Sequence, residues 1–284
     1  MNKIAYKFHL ATATFIGDLF ENRVEVYWYI KEKNSGDLVT PMLLKRYGFT
    51  PVHSYPREAK VFSCGSLLEK VPEDFSGFIL GTGFMHGDSV RSFDKARILA
   101  VRGELTRNHV GAPKDTILGD PGLLVSRFFT RRQKKRYTLG VVPHYVDKKD
   151  VCIHTFCKRY SKEVLFIDIQ QDPLTVLQKI DKCEFILSSS LHGLVFADSL
   201  DIPNIWMTLS GQVSGKGFKF YDYNSALKKK QNPVRILGDE KLSDLLAQAC
   251  TPPSSLIVEI QNNLDRAYRV LRTEALHTKQ QVIV

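Results

Sequence analysis

The chain has 284 residues, of which 43% are hydrophobic and 25% are charged. This composition excludes a disordered chain, and the length is sufficient for two compact domains. No stretch offers the roughly 20 uninterrupted apolar residues that a membrane helix requires, so we expect a soluble globular protein.

The N-terminus and the cysteines both indicate a cytoplasmic protein. Lys7 and His9 interrupt the segment that would have to form the apolar core of a signal peptide. The five cysteines include no CxxC pair, which favours neither a disulfide framework nor a zinc site. We therefore expect residence in the reducing cytoplasm.

The formal net charge of +10 is partly concentrated in two basic runs, 131–136 and 228–230. Such charge suits a small anionic substrate, a lipid-linked phosphate at the inner face of a membrane, or nucleic acid. A solvated loop is the structural alternative. Nucleic acid is disfavoured, because no aromatic RNA-binding signature or DNA-binding motif accompanies the charge.

Short apolar runs alternate with amphipathic stretches in the first half, a pattern typical of βα units around a mostly parallel sheet. A helix is predicted over 38–48. Strands are predicted over 24–30, 60–64, 77–83 and 97–103.

The strongly basic segment 127–137 has little apolar periodicity and marks the predicted domain boundary. A second alternating series follows, with strands predicted over 137–144, 150–156, 163–169, 183–190 and 202–209. The sequence thus predicts an α/β fold with one domain over 1–133, a second over 134–254, and a cleft between them.

The C-terminal segment 255–278 predicts a helix, because Leu256, Ile260, Leu264 and Leu271 recur near helical spacing. We expect this helix to pack back onto the first domain and complete it.

The sharpest local feature is a buried-looking strand followed by Ser188, Ser189 and Ser190 and then by a helix with His192 and Gly193 in its first turn. Free backbone N–H groups and the helix dipole suit such a start to phosphate or carboxylate. The serines add hydroxyl donors, and Gly193 permits close approach of a ligand. The alternative is a helix cap with a satisfied polar histidine.

A second feature is the turn that contains Asn34, Gly36 and Asp37 and follows the first predicted strand. Asn34 and Gly36 suit a tight turn, and Gly36 lets the backbone approach a ligand. Asp37 could act as a base or simply cap the following helix.

Three glycine-containing segments, 81–84, 101–107 and 119–124, lie at or just beyond predicted strand ends. Arg102, Glu104 or Asp120 could face the cleft from these loops, although structural turns would give the same pattern. Residues 81–84 lack the GxGxxG spacing, so a dinucleotide site is not supported.

Six segments then occur in a recognisable order: 34–37, 101–106, 119–124, 141–147, 188–206 and 219–227. With these motifs, which include NSGD, GDPGLL and SSSLHG, the chain resembles the polysaccharide pyruvyl transferase family, especially its bacterial exopolysaccharide members. The resemblance implies two Rossmann-like domains with a central cleft, similar to the glycosyltransferase type B architecture. It also implies transfer of a pyruvyl group from phosphoenolpyruvate to two hydroxyls of a sugar, as a ketal.

The chain departs from the family at the helix start, where the family often has Arg-Leu-His and this sequence has Ser190, Leu191 and His192. An arginine would clamp an anion with two hydrogen bonds. Its role must therefore fall to the serine-rich turn or to other side chains, for which the candidates are Arg102, His144, Lys216 and Lys219.

The resemblance assigns His192 as general acid or phosphate stabiliser, because histidine exchanges protons near neutral pH. Asp37 is the candidate base or anchor of the acceptor hydroxyl. We expect no metal and no cofactor beyond the donor, because no metal cluster is visible in the sequence and phosphoenolpyruvate carries its own activation.

Two other functions stay open from the sequence. A nucleotide-sugar glycosyltransferase could use the same architecture, since fold alone does not choose between the reactions. A non-catalytic glycan-binding relative is the second alternative, suggested by Ser190 in the place of the arginine.

Overall fold

The computed structural model describes residues 22–129 and 132–281, with side chains described up to residue 275. The N-terminal segment that bears on a signal peptide lies outside these residues. Arg131 of the first basic run also lies outside them.

The first half of the chain forms a six-stranded parallel sheet with the strand order β2-β1-β3-β4-β5-β6. Four of its strands confirm sequence predictions with shorter bounds, and β2 and β6 were not predicted. The strands are β1 (Arg23–Tyr27), β2 (Thr50–His53), β3 (Val61–Phe62), β4 (Phe78–Leu80), β5 (Arg97–Val101) and β6 (Ile117–Leu118).

The second half forms a five-stranded parallel sheet with the order β11-β10-β9-β7-β8. Four of these strands were predicted, and β11 was not. The strands are β7 (Tyr137–Val142), β8 (Val164–Phe166), β9 (Cys183–Ser188), β10 (Asn204–Thr208) and β11 (Val234–Arg235).

Helices connect the strands on both sides of the sheets. They are α1 (Ser35–Arg46), α2 (Glu104–His109), α3 (Val151–Arg159), α4 (Pro173–Ile180), α5 (Leu191–Ser199), α6 (Phe218–Ala226), α7 (Leu242–Leu246) and α8 (Ser254–Gln281). Two 3₁₀ segments cover Leu68–Lys70 and Pro121–Phe128. Among the described residues, no helix combines the length and the apolar character needed to cross a bilayer.

The strand predicted over 150–156 is wrong, because this segment forms the first two turns of α3. The Asp150 side chain accepts a hydrogen bond from the Cys152 backbone N–H at 2.9 Å and caps the helix. Ile153 and Phe156, three residues apart, are buried on one face of the helix. A short apolar run fits such a helix face as well as it fits a strand.

Two parallel sheets with connecting helices confirm the α/β prediction and are consistent with Rossmann-like halves. The type B architecture and the boundary after residue 133 stay predictions. Because all neighbouring strands are parallel, their carboxyl ends lie at one edge of each sheet, where ligands bind in such folds.

Helix α8 packs against the six-stranded sheet and the 3₁₀ segment 121–128. The Tyr268 hydroxyl lies 2.7 Å from the hydroxyl of Ser63, which follows β3. The rings of Tyr47 and Tyr268 stack with centroids 4.6 Å apart. The end of the chain therefore closes the core of its first half.

Helix α5 lies in the centre of the molecule, and all nine of its residues are buried. It contacts the 3₁₀ segment 121–128 on the side of the first sheet and strands β9 and β10 of the second. Most of its residues are apolar, and such complete coverage keeps them from water. Its N-terminus, which carries His192, is thereby held in a rigid position.

A buried ion pair connects the two halves. The Arg102 Nε atom lies 2.8 Å from Asp222 Oδ2, and both side chains are fully buried. Asp222 also accepts hydrogen bonds from the backbone N–H and the hydroxyl of Thr106 at 2.8 and 2.6 Å. Arg102 donates further to the Ser66 hydroxyl and to the Phe84 carbonyl. We call the contact between Arg102 and Asp222 the interface ion pair.

Removal of one member of the interface ion pair should strongly destabilise the fold, because the other charge stays buried without a partner. We expect Asp222→Ala to lower the free energy of unfolding by about 3–5 kcal/mol. Arg97→Ala, which removes a partly exposed pair with Glu274, should cost at most about 1 kcal/mol. Urea denaturation of both variants measures the difference, and equal losses would contradict this role.

Candidate active site

A central cavity of about 320 Å³ lies between the two halves. Its walls come from the start of α1 and from loops after β1, β3 and β4 in the first half, and from the loop after β7, the start of α5 and the start of α6 in the second. The lining includes Tyr29, Asn34, Asp37, Glu69, His86, His144, Tyr145, Ser190, His192 and Lys219.

Helix α1 begins at the junction of the two halves. Asn34 caps it, since the side-chain oxygen accepts a hydrogen bond from the Gly36 N–H at 2.9 Å. The Ser35 N–H donates to the Ile169 carbonyl, and its hydroxyl donates to the Gln171 carbonyl at 2.6 Å. These bonds tie the first turn of α1, and with it Asp37, to the second half.

Asp37 is a group that can exchange a proton near neutral pH. Burial raises the pKa of its carboxyl to about 7, although the positive charges of His192 and Lys219 act to lower it. The site thus contains the carboxyl that the sequence singled out, in an environment that suits acid–base chemistry.

Gly36 is required by the protein itself. A Cβ atom at this position would lie 1.9 Å from His192 Nδ1, so the absence of a side chain makes room for the imidazole ring. At Gly193, a Cβ atom would lie 2.2 Å from the Ser188 hydroxyl. Contact of either glycine with a ligand stays a prediction.

The three serines before α5 have different surroundings. The Ser188 hydroxyl donates to the Val142 carbonyl at 2.7 Å, and the Ser189 hydroxyl donates to Asp147 Oδ2 at 2.7 Å. Both are satisfied within the protein and do not line the central cavity. Only Ser190 does, and its side chain makes no capping bond to the helix. Of the three serines, Ser190 is thus the one placed in the central cavity.

Lys219 supplies a buried positive charge to the central cavity. The side chain is 7% exposed, and its ammonium group forms no ion pair within the part of the chain that the structure describes. Burial and the nearby Arg102 lower the pKa of Lys219 to about 8. A desolvated cation without a carboxylate partner is a strong binding site for an anion.

His144 lines the central cavity as a neutral side chain. Burial, together with Lys219 and His192, lowers its pKa to about 3. Its Nδ1 atom lies 3.4 Å from the Val146 N–H, which donates to it. A neutral His144 could bind the donor through hydrogen bonds of its ring, and its role in donor binding stays a prediction.

Two predicted anion-binding residues lie elsewhere. Arg102 does not line the central cavity, because its guanidinium is enclosed in the interface ion pair. Lys216 is exposed and lines a neighbouring cavity of about 180 Å³ beside Trp206 and Tyr221. Arg102 therefore acts on the site through its charge. Lys219 is a buried cation that lines the central cavity, and the exposed Lys70 lines it as well.

Cys64 and Asp120 are neighbours of His192. The sequence indicated Asp120 only as a residue that could face the cleft, and it did not single out Cys64. Cys64 Sγ lies 3.0 Å from His192 Nε2 and donates to Asp120 Oδ1 at 3.2 Å. Asp120 Oδ1 is 3.6 Å from Nε2. Thiol, carboxylate and imidazole can all ligate metals, and these donor atoms lie within 4.8 Å of one another. Metal independence therefore stays a prediction.

One cavity of this α/β protein contains a buried lysine, a histidine and a carboxyl whose pKa burial raises to about 7, a combination typical of enzyme active sites. The chain is a member of the polysaccharide pyruvyl transferase family, whose model matches residues 9–211. This confirms the resemblance inferred from the motifs.

Two curated relatives match most of the chain. It is 32% identical over 220 residues to an uncharacterised protein of Acanthamoeba polyphaga mimivirus, covering 72% of this chain and 75% of the relative. It is 27% identical over 217 residues to the succinoglycan biosynthesis protein ExoV of Rhizobium meliloti (strain 1021), covering 74% of this chain and 66% of the relative.

Substitution of Gly36 should disrupt the site without unfolding the protein. In Gly36→Ala, the new methyl group would displace the His192 ring, and we expect the catalytic rate to fall at least about 100-fold, the lower end of what a positioned acid or base contributes. Gly111→Ala is the control, because no atom lies within 4 Å of its Cβ position. Its positive φ should reduce stability only. Full activity of Gly36→Ala would contradict the contact.

Proposed function

We propose that the protein transfers a pyruvyl group from phosphoenolpyruvate to two hydroxyls of a saccharide and releases phosphate, forming a pyruvate ketal. The observation that carries this proposal is the Lys219 ammonium group, which is buried in the central cavity without an ion-pair partner among the described residues. Family membership supports the reaction class. The name of the rhizobial relative, a succinoglycan biosynthesis protein, supports a saccharide acceptor.

The donor fits the cationic side of the central cavity. Phosphoenolpyruvate carries a phosphate and a carboxylate, and Lys219 can neutralise one of them. The N-terminus of α5, with Ser190 at its cap, offers backbone N–H groups to the other. These two groups take the place of the arginine that is often found at position 190 in the family. The charge of Arg102, close enough to depress the pKa of Lys219, adds to the positive potential.

The acceptor fits the part of the central cavity beside Asp37, which Tyr29 and Tyr145 also line. Burial raises the pKa of the Tyr145 hydroxyl, and Asp37 adds to this effect. Phenol and carboxyl groups can bond to sugar hydroxyls, and aromatic rings provide apolar surface for a sugar ring. A wall with an acidic group favours a polyol without negative charge.

The chemistry requires one proton to be delivered and two to be removed. His192 delivers a proton to the methylene carbon of phosphoenolpyruvate, which gives the adjacent carbon oxocarbenium character. One sugar hydroxyl adds there and transfers its proton to Asp37. The bond to phosphate then breaks with departure of phosphate, the neighbouring hydroxyl closes the ketal, and its proton leaves with the solvent or phosphate.

A lipid-linked acceptor and contact with the inner face of a membrane stay proposals from charge. Within the first basic run, Arg132 pairs with Asp181, and Lys135 donates to the Cys183 carbonyl. In the second run, Lys229 is buried against Asp198. Parts of both runs thus stabilise the fold, and fewer cations are left for a lipid surface.

Lys219 should determine donor affinity. In calorimetric titrations with phosphoenolpyruvate, we expect Lys219→Met to weaken binding at least about 100-fold, which corresponds to about 2.7 kcal/mol. Lys219→Arg should retain part of the affinity. Lys216→Met tests the neighbouring cavity and should have little effect, and Lys162→Met is an exposed control.

The same titrations separate the alternatives. Binding of a nucleotide sugar without any response to phosphoenolpyruvate would favour a glycosyltransferase. Binding of a glycan without phosphate release from phosphoenolpyruvate would favour a non-catalytic relative. Either result would overturn the proposed reaction.

The pH dependence of kcat/KM should be bell-shaped. Asp37 must be ionised to accept a proton, so activity should rise as the pH passes about 7. Lys219 must be protonated to bind the donor, so activity should fall as the pH passes about 8. The Asp37→Asn variant should lose the rise in activity near pH 7 and keep the fall in activity near pH 8. A profile without an upper limb would contradict the role of Lys219.

A further inference from the structure

The two ring nitrogens of His192 have different surroundings. Nε2 points into the protein, toward Cys64 Sγ at 3.0 Å and Asp120 Oδ1 at 3.6 Å. Nδ1 lies close to Gly36, where an added Cβ atom would come within 1.9 Å of it, and His192 lines the central cavity. Within the described residues, Nδ1 makes no hydrogen bond. It is also not among the polar atoms that are buried without a partner. Nδ1 is therefore the nitrogen that a substrate can reach.

The groups behind Nε2 form a chain with a defined direction. Burial, reinforced by Asp120, raises the pKa of the Cys64 thiol well above its ordinary value, so the sulfur keeps its hydrogen. That hydrogen points to Asp120 Oδ1. Because the thiol hydrogen is donated to Asp120, the sulfur can only accept a hydrogen bond from Nε2. This arrangement favours a hydrogen on Nε2.

Asp120 is fixed as the end of this chain. Its Oδ1 atom accepts a hydrogen bond from the Gly122 N–H at 2.8 Å, and its Oδ2 atom is buried without a hydrogen-bond partner in the described part of the chain. Burial acts to raise the pKa of Asp120, but the charge of His192 and the surrounding hydrogen bonds bring it below its ordinary value. The ionised carboxylate thus faces the imidazole from a rigid loop.

We propose that Cys64 and Asp120 are positioning residues that hold the hydrogen of His192 on Nε2, so that Nδ1 is the nitrogen that exchanges a proton with the substrate. The position of the hydrogen on Nε2 concerns the free protein alone. The proton exchange between Nδ1 and the substrate rests on the proposed function. The arrangement has the logic of a catalytic histidine that is held in one tautomer by a buried carboxylate, with a thiol inserted between the two groups.

The tautomer can be measured directly in the free protein. Long-range ¹H–¹⁵N correlation spectra distinguish a ring with hydrogen on Nε2 from one with hydrogen on Nδ1, and the His192 signals are assigned by their loss in His192→Asn. We expect the Nε2–H form in the wild type and in Cys64→Ser, whose hydroxyl can make the same two bonds. Cys64→Ala and Asp120→Asn should populate the other tautomer. Cys183→Ala is the matched control, a buried cysteine remote from His192.

Kinetics then test the consequence. We expect Cys64→Ala and Asp120→Asn to lower kcat by about 10- to 100-fold, the effect typical of losing a partner that orients a functional histidine. The affinity for phosphoenolpyruvate should change little, because Lys219 is untouched, and Cys64→Ser should recover most of the rate. A purely structural role would instead lower the melting temperature without changing the tautomer.

Three results would overturn the inference. The first is an Nδ1–H tautomer in the wild type. The second is full kcat in both Cys64→Ala and Asp120→Asn. The third is a stoichiometric metal ion whose removal abolishes activity, since Cys64 and Asp120 would then be ligands. Failure of the proposed function would look different, because the wild type would release no phosphate from phosphoenolpyruvate whatever its tautomer.

Discussion

The site depends on the close approach of two helix starts, those of α1 and α5. The ring of His192 occupies the space that a side chain at Gly36 would need. One helix follows a strand of the first sheet and the other follows a strand of the second, so this contact brings both sheets to one point. Asp37, in the first turn of α1, and His192, in the first turn of α5, are brought together by this contact.

Charge in the central cavity is distributed unevenly, and the cause is burial. Lys219 and Asp37 both have pKa values moved toward neutrality by desolvation, from opposite directions. Each of these two groups can therefore exchange a proton near neutral pH. Both groups line the central cavity.

Sequence alone could predict the helix starts, because Asn34 and the serines before His192 are local cap signals. It could also suggest the reaction class, because the motifs occur in a fixed order. It could not place Arg102, whose partner Asp222 lies 120 positions away. Nor could it show that the Ser188 hydroxyl donates to the Val142 carbonyl, which comes from another strand. The error over 150–156 has a similar source: a short apolar run fits a strand and a buried helix face equally well.

The interface ion pair and the bonds of Ser35 to Ile169 and Gln171 lie on different sides of the central cavity and join segments more than a hundred positions apart. Neither half of the chain therefore has all of its buried polar groups satisfied without the other. The two sheets should behave as one cooperative unit, and a chimera that combined halves of two relatives would have to exchange both sets of partners together. The cleft would therefore have to be exchanged as a whole, because its walls come from both halves of the chain.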